Sequence, residues 1–463
     1  MCVMPWVTRC RVPDSLVSVS TRSENEVEPR SVGADLQGVA NIWQAVERLY
    51  ASGMHPAIQL CVRRRGHVLI DRSIGHACGN GPQDSLEAGK TLCTPDTPFT
   101  IFSASKAVTA MVIHLLDQKH LLHIDDPVSE YIPEFGKHGK ERVTIEQVLT
   151  HRAGMPNLPF DEMKLEYLTT PHKILQRLCE AEPAWAPGRR LAYHAVTGGF
   201  ILAEIVQRVT RRTIRRVLDE EILSPLGFRW MNYGVKPRDI SKVAVNYFTG
   251  LAPFFPVSTI IRRALGVDFT EAAELSNDPR FLTSIIPSAN VVTNANELSR
   301  FYQLLLNGGV LDGVQIFEPR TIRRATSEQS YLEFDFTLGL PLRYSMGFML
   351  GGLGLYGPDT PQAFGHVGFI NIFSWADPER QVAVALTTSG KPIVYWELYY
   401  IYAIMREIGL TCPKEPARAW RAGAGRRIKP AKRSNAAGRR GGRDGGPPRK
   451  KSSASQSNKA RAE

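Results

Sequence analysis

A serine and a lysine three residues apart, Ser103 and Lys106, offer the clearest chemistry in this sequence of 463 residues. They open a run with apolar residues at positions 108, 111, 112 and 115, a spacing that predicts a helix with one face in the core. Residues three apart on a helix lie one above the other, so the serine hydroxyl and the lysine amine could share a hydrogen bond. Because a serine hydroxyl is a weak nucleophile until a neighbouring base takes its proton, the pair is a candidate nucleophile and base.

The S-x-x-K spacing alone is a weak signal, since a helix cap followed by a surface lysine gives the same letters. Its weight comes from two later segments, YHA at 193–195 and GHVG at 365–368, the second directly before a strand-like run. A phenol such as Tyr193 can carry a proton when it lies near an amine. A glycine such as Gly368 would let the backbone come close to a substrate.

With these segments the chain resembles the serine β-lactamase and penicillin-recognising superfamily, in its class C β-lactamase-like branch of esterases and D-amino-acid peptidases. The resemblance spans about residues 40 to 410 and is carried by FSASK (102–106), VTIEQVLTHRAG (143–154), PG (187–188), SPLGF (224–228), PSAN (287–290) and FGHVGF (364–369). It implies an α/β (α+β) fold of the β-lactamase/transpeptidase type, in which an antiparallel sheet is flanked by helices from both chain ends. A mainly helical domain would be inserted into it.

The resemblance also implies what the residues do. Ser103 would carry the acyl group, and either Lys106 or Tyr193 would be the base that activates it. The backbone N–H groups of Ser103 and Phe369 would form the oxyanion hole, because a tetrahedral intermediate needs two preorganised donors. The substrate cleft would be lined by His366, Val367, Gly368 and Ala195. Neither a metal nor a cofactor is implied.

Two departures from the β-lactamase pattern bear on the substrate. The family's Tyr-x-Asn is Tyr193-His194-Ala195 here, so the amide that would bind a β-lactam side chain is missing. Its Lys-Thr-Gly is His366-Val367-Gly368, which removes the cation that attracts the antibiotic's carboxylate. We therefore expect a carboxylesterase acting on short to medium acyl esters. The alternative enzyme is a β-lactamase or a D-alanyl carboxypeptidase/D-aminopeptidase. The sequence contains no G-x-S-x-G motif, so an α/β-hydrolase elbow is not the route to esterase activity.

The elements that must position these residues come from both ends of the chain. A helical stripe at 39–49 and a hairpin at 57–71 precede Ser103, and strand-like runs at 369–376 and 381–388 and an aromatic helix at 393–408 end the folded part. The predicted domains are a sheet domain at 37–115 and 286–412 and a helical insertion at 116–285. Residues 1–36 and 413–463 are predicted to be disordered, since both are polar and poor in aliphatic residues.

The positive charge of the chain is concentrated in the predicted tail. Of the net +12, residues 418–463 contribute 15 Lys and Arg against Asp444 and Glu463, so the rest is close to neutral. Clustered Lys and Arg bind polyanions, and the tail could contact a polyanion or an anionic membrane surface. A function of another class follows from it: an idle binding module tethered by its basic tail.

The cysteines, the N-terminal segment and one long uncharged run bear on the cellular compartment and on membrane insertion. Seven scattered cysteines without metal-ligand spacing indicate reduced structural thiols, and the first 30 residues lack a signal-peptide core, so we expect a cytoplasmic protein, with membrane association left open. The uncharged run from Val243 to Ile261 contains Pro253 and Pro256, which argue against a membrane span. An apolar loop is expected there, and it could line the acyl side of the cleft. The oligomeric state is not predicted.

Overall fold

The computed structural model describes residues 7–157, 164–168, 170–255, 258–259, 262, 265–369, 371–393, 396 and 398–415. The helices in these ranges are α1 Leu36–Ala51, α2 Ser105–Gln118, α3 Val128–Tyr131, α4 Ile145–Leu149, α5 Leu165–Leu168, α6 Pro171–Glu180, α7 Thr197–Thr210, α8 Ile214–Leu218, α9 Phe269–Leu275, α10 Pro279–Thr283, α11 Ala295–Leu306, α12 Pro319–Thr326 and α13 Leu398–Thr411. The strands are β1 Ser20–Arg22, β2 Ala57–Arg64, β3 His67–Cys78, β4 Thr91–Leu92, β5 Phe99–Thr100, β6 Asn232–Tyr233, β7 Val291–Thr293, β8 Val310–Leu311, β9 Val314–Gln315, β10 Ser330–Asp335, β11 Leu340–Tyr344, β12 Met349–Leu350, β13 Phe364–Gly368, β14 Ile372–Asp377 and β15 Val382–Thr388.

One antiparallel sheet joins the two ends of the chain. Its strand order is β1-β3-β2-β15-β14-β13-β12-β11-β10, with β4 paired to the side of β3. Strands β2 and β15 lie side by side in its middle and are buried along their whole length. The sheet and its helices confirm the predicted β-lactamase/transpeptidase-like class.

Helices cover both faces of this sheet, which explains why its central strands are buried on both sides. On one face α1 packs against α13, and Ile58, Leu60 and Val62 of β2 point into that layer. On the other face α11 covers β2, β14 and β15, and the Ser299 hydroxyl donates a hydrogen bond to Cys61 Sγ at 3.1 Å. The alternation of residues along β2 therefore assigns successive side chains to the two layers.

The middle of the chain is mainly helical and surrounds α2, most of whose residues are buried. A small sheet of β5, β7 and β6 lies beside the start of α2. The described residues all fall in one compact unit that ends at residue 423, so the boundaries at 116 and 285 stay predictions. Residues 424–463 lie outside the described ranges.

The prediction of disorder before residue 37 is wrong for residues 7–36. Strand β1 pairs with β3 at the edge of the main sheet. The Glu26 side chain, only 1% exposed, accepts hydrogen bonds from Arg72 and from the Asp71 N–H and pairs with Arg22. Polar composition suggested disorder, but here the polar groups are satisfied by partners from β3 that the local sequence does not contain.

The C-terminal prediction also shifts by a few residues. Arg64 donates to the Pro413 carbonyl, and Lys414 pairs with Asp359, so the chain is tied to the fold as far as Glu415, which pairs with Arg65. Residues 416–463, which hold the predicted basic tail, lie outside the described residues.

Two further properties concern the described residues as a whole. Their six cysteines are all free thiols, and five of the six are buried. None of the helices in the described ranges is long and apolar enough to cross a membrane.

We expect Glu26→Gln to lower the free energy of unfolding by about 2 kcal/mol, because Arg72 and Arg22 would lose their carboxylate partner in a buried setting. Urea denaturation of the variant and the parent measures the change. Glu24→Gln, two residues earlier and exposed, is the matched control and should cost much less. Equal effects of the two substitutions would contradict the role given to the buried carboxylate.

Candidate active site

The nucleophile lies in a tight turn rather than inside a helix. Residues Phe102–Ala104 form a 3-10 turn that runs directly into α2. The turn is anchored to β7, because the Ile101 N–H donates to the Val291 carbonyl at 2.9 Å and the Val291 N–H donates to the Ser105 hydroxyl at 3.0 Å. Ser103 is thus fixed at the N-terminal end of a buried helix, where backbone N–H groups are unpaired and the helix dipole is positive.

The Lys106 amine is buried and held from three directions. Nζ lies 3.3 Å from Ser103 Oγ and donates to the carbonyls of Ala195 at 2.7 Å and Ser288 at 3.1 Å. These carbonyls belong to distant parts of the chain. Burial lowers the pKa of Lys106 to about 7, because the charged form loses its hydration. A substantial fraction of the amine is therefore neutral near pH 7 and able to accept a proton from Ser103.

Tyr193 completes the cluster that the sequence predicted. Lys106 Nζ lies 4.8 Å from the centre of its ring, and the Ser103 side chain is near enough to partly offset the rise in the pKa of Tyr193. Burial raises the pKa of Tyr193 above its usual value, and the nearby Asp335 raises it further. The phenol is therefore neutral, which suits a group that passes a proton on better than one that removes it first.

Asp335, at the end of β10, is a residue that sequence reasoning missed. Its buried carboxylate accepts hydrogen bonds from the N–H groups of Tyr193 at 3.1 Å, Thr337 at 2.8 Å and Leu338 at 2.9 Å, and from the Tyr344 hydroxyl at 3.1 Å. Burial raises its pKa. The one available signal was an acid placed directly between two phenylalanines in the segment SYLEFDFTLG. Asp335 holds the backbone of Tyr193 in place without touching the nucleophile.

The predicted cleft residue His366 lies next to Tyr193, with ring centres 6.2 Å apart. Its Nδ1–H donates to the Val367 carbonyl at 2.8 Å. Burial, and secondarily the Lys106 amine, lowers the pKa of His366 to about 3. The side chain is therefore neutral at pH 7. Where the β-lactamase motif has a lysine, this chain presents no positive charge.

Two further histidines pack behind Tyr193. The His151 ring lies 4.7 Å from the Tyr193 ring, and its Nδ1 accepts the His194 N–H at 3.2 Å. His194 Nε2 accepts the Met155 N–H at 3.1 Å. Burial lowers the pKa of both histidines, that of His194 to about 3. These neutral rings form the low-dielectric surroundings that disfavour a charge on Lys106.

The two residues expected to form the oxyanion hole are brought together by aromatic stacking. The rings of Phe102, next to Ser103, and Phe369 stack with centres 4.7 Å apart, and Phe369 also stacks on Phe269 at 4.4 Å. Phe102 and Phe369 both have left-handed backbones, with φ of 46° and 44°. Such conformations are costly for large side chains and persist where the surroundings enforce them. The stack supplies that enforcement beside the backbone N–H groups of Ser103 and Phe369.

Gly368 allows the close approach that the sequence indicated, although the neighbour is the nucleophile turn. A Cβ at this position would lie 2.2 Å from the Ile101 carbonyl oxygen. Only glycine therefore lets β13 lie against the segment that carries Ser103.

A pocket of about 110 Å³ opens beside Ser103. Most of the residues that line it are apolar, and they include Ala195, one of the predicted cleft residues. The exposed Lys164 adds a cation to the wall. The apolar wall is formed by Phe102, Leu165, Leu168, Ala195, Val196, Leu265, Val267, Ala272, Leu275, Phe281, Ile286, Ala289 and Phe369. Among the described residues, α5 and residues 265–289 supply much of this wall. The run from Val243 to Ile261 lies only partly within the described residues, so the expectation that it lines the acyl side stays a prediction. In the described part of that run, Val243 and Ala244 are buried in the core.

We expect Gly368→Ala to reduce kcat/KM for an ester by about a hundredfold, because β13 and the nucleophile turn must separate to admit the methyl group. Steady-state kinetics on a chromogenic ester measures the loss. Gly89→Ala is the matched control, since a Cβ there meets nothing within 4 Å. Wild-type kinetics in Gly368→Ala would contradict the packing argument.

The chain is similar in sequence or in structure to several known proteins. The chain is 30% identical over 311 residues to the Esterase/beta-lactamase LipL of Mycobacterium tuberculosis, covering 65% of this chain and 71% of that protein. A putative D-alanyl-D-alanine carboxypeptidase of Salmonella agona is 24% identical over 380 residues, covering 77% and 84% of the two chains. The crystal structure of a penicillin-binding protein homologue from Caulobacter crescentus is similar with a TM-score of 0.71 at 27% identity, over 82% of this chain and 99% of that one.

A sequence profile of the family described as Beta-lactamase matches residues 44–397, well over half of the chain. This range contains Ser103, Lys106, Tyr193 and the strand with His366. The resemblance found in the sequence is confirmed. The chain belongs to the beta-lactamase family, as a serine hydrolase of the branch that includes class C-like esterases.

Proposed function

We propose that this protein is a carboxylesterase that hydrolyses short to medium acyl esters through an acyl group on Ser103. The observation that carries the proposal is the buried Lys106 amine, 3.3 Å from Ser103 Oγ and with a pKa of about 7, beside an apolar pocket. This amine can take the hydroxyl proton at neutral pH, and the pocket can hold an uncharged acyl chain.

In the acylation step, Lys106 takes the proton from Ser103 Oγ while the oxygen bonds to the ester carbonyl carbon. Negative charge then develops on the carbonyl oxygen, which the N–H groups of Ser103 and Phe369 would stabilise. When the carbon–oxygen bond of the ester breaks, the leaving alcohol receives a proton through the Tyr193 hydroxyl. Water then attacks the acyl carbon of the acyl-enzyme by the same steps, and the acid is released.

The groups around the site favour an ester over a β-lactam. His366 is neutral where a β-lactamase has a cation, and Ala195 replaces the amide that would bind an antibiotic side chain. A neutral ester needs neither group. The relative LipL, whose name includes both activities, is consistent with an esterase that keeps the β-lactamase framework.

A second candidate is a β-lactamase or a D-alanyl peptidase. One observation favours it: the exposed Lys164 lies in the pocket wall and could pair with a substrate carboxylate. An activity panel of esters of increasing acyl length, a cephalosporin and a D-alanyl peptide separates the two. Faster opening of the cephalosporin than of any ester would favour this second candidate.

We expect kcat/KM for a neutral ester to rise with pH through about 7 and then level off, because protonated Lys106 cannot accept the Ser103 proton. Lys391 is the matched control, since burial lowers its pKa to about 7 as well. A pH profile of Lys391→Met should keep the rising limb. A flat profile between about pH 6 and 9, or a limb that disappears in Lys391→Met, would contradict Lys106 as the base.

Ser103→Ala should lower kcat/KM by at least about four orders of magnitude while leaving the melting temperature close to that of the parent. Ester hydrolysis and circular dichroism measure the two quantities. Ser15→Ala, at an exposed serine outside the nucleophile turn, is the control and should retain the parent's activity. Full hydrolysis by Ser103→Ala would rule out the acyl-serine route, and absence of hydrolysis by the parent would favour the idle binding module.

A further inference from the structure

A second and larger concavity, of about 680 Å³, lies apart from the pocket at Ser103. It is formed by the hairpin of β10 and β11, by the loop at 352–355 and by the outer side of α13. We call this surface the apolar face and define it by Leu332, Leu340, Leu353, Tyr399 and Tyr402. Every one of these side chains lines the concavity and is exposed.

The side chains of the apolar face are unusually exposed for apolar residues of a folded protein. Leu353 is 72% exposed, Tyr399 67% and Leu332 49%, and Tyr331 beside them is 83% exposed. Single exposed apolar residues are ordinary, but a contiguous set around one groove marks a surface that binds something apolar.

The backbone is bent to present two of these side chains. Leu332 and Leu353 both have left-handed backbones, with φ of 49° and 48°, which is uncommon for a leucine. The pairing of β10 with β11 shifts register between Ser330 and Glu333, so a bulge places Leu332 outside the regular ladder. Both leucines lie in strained segments that turn their side chains outward.

Acidic side chains near the apolar face are matched by basic partners. The nearby carboxylates are already paired, Glu333 with Arg152 and Glu328 with Arg343. The exposed Arg190 lies over the ring of Phe336, 5.0 Å from its centre, at the end of the same hairpin. The surroundings of the groove therefore do not repel an anionic partner.

The last described residue lines a cleft that adjoins the apolar groove. Glu415, the last described residue, lines a neighbouring cleft that shares Arg343 and Leu350 with the apolar groove. The 48 residues that follow carry 15 Lys and Arg against two acids. The described fold thus ends at a cleft that adjoins the apolar groove, and the residues that follow in the sequence are strongly basic.

We propose that the apolar face docks on the surface of an anionic lipid bilayer, with residues 416–463 supplying the electrostatic attraction. Stable attachment to a membrane surface generally needs two signals, and an apolar insertion with a polybasic segment is one such pair. Each Lys or Arg near an anionic surface adds attraction, and the exposed leucines and tyrosines enter the boundary between headgroups and acyl chains.

A second copy of the chain fits this face less well. Dimerisation there would bring two strongly positive segments together. The bulge in β10, which is the edge strand, also interrupts the row of backbone groups that edge-to-edge pairing requires.

The test compares full-length protein with a triple variant, Leu332→Asn, Leu353→Asn and Tyr399→Gln, in flotation with vesicles. Asparagine suits the left-handed backbone at the two leucines, so the fold is retained. The vesicles are phosphatidylcholine alone or mixed with phosphatidylglycerol. The matched control, Val17→Asn with Leu86→Asn and Leu121→Asn, removes three exposed apolar side chains elsewhere on the surface.

We expect the parent and the control to bind the phosphatidylglycerol vesicles, with binding that weakens as salt rises. The triple variant should bind at least about tenfold more weakly, and its hydrolysis of a soluble ester should be unchanged. Equal binding by all three proteins, or no binding by the parent, would overturn the proposal. So would a parent dimer in sedimentation that the triple variant dissociates, since the face would then bind a second copy.

Discussion

The burial of one amine constrains the whole site. Lys106 Nζ makes its contacts with Ser103, Ala195 and Ser288, which come from three separate parts of the chain. An amine in such a position loses its hydration, and the carbonyls it meets only partly replace it, so its pKa falls to about 7. The cost of burying the lysine is thus what makes it a base near neutral pH. If any of the three segments moved away, water would enter and the amine would return to its charged form.

Other features of the fold keep that environment dry and fixed. The neutral rings of His151, His194 and His366 surround Tyr193 and Lys106 without adding a positive charge at pH 7. Asp335 holds the backbone of Tyr193. On the opposite side, the stacked rings of Phe102 and Phe369 and the absence of a side chain at Gly368 set the distance between β13 and the nucleophile turn. Base and oxyanion donors are therefore positioned by separate contacts.

The sequence predicted the parts that depend on local spacing. The helix at α1, the hairpin of β2 and β3, the pair of Ser103 and Lys106 and the family resemblance could all be derived from short motifs and periodicity. It did not predict Asp335, the ordered segment before residue 37 or the part of the pocket wall that α5 and residues 265–289 supply. In each of these cases the decisive partner lies far along the chain: Asp335 meets Tyr193, Glu26 meets Arg72, and α5 meets residues 265–289.

The most direct measurement of the central claim is covalent labelling with a fluorophosphonate, followed by peptide mass spectrometry and a parallel assay of ester hydrolysis. Such a probe reacts with an activated serine hydroxyl and stays bound. The account predicts one label per chain, on Ser103, with hydrolysis lost in proportion to labelling. Label on another residue, or hydrolysis that persists after Ser103 is fully labelled, would contradict it.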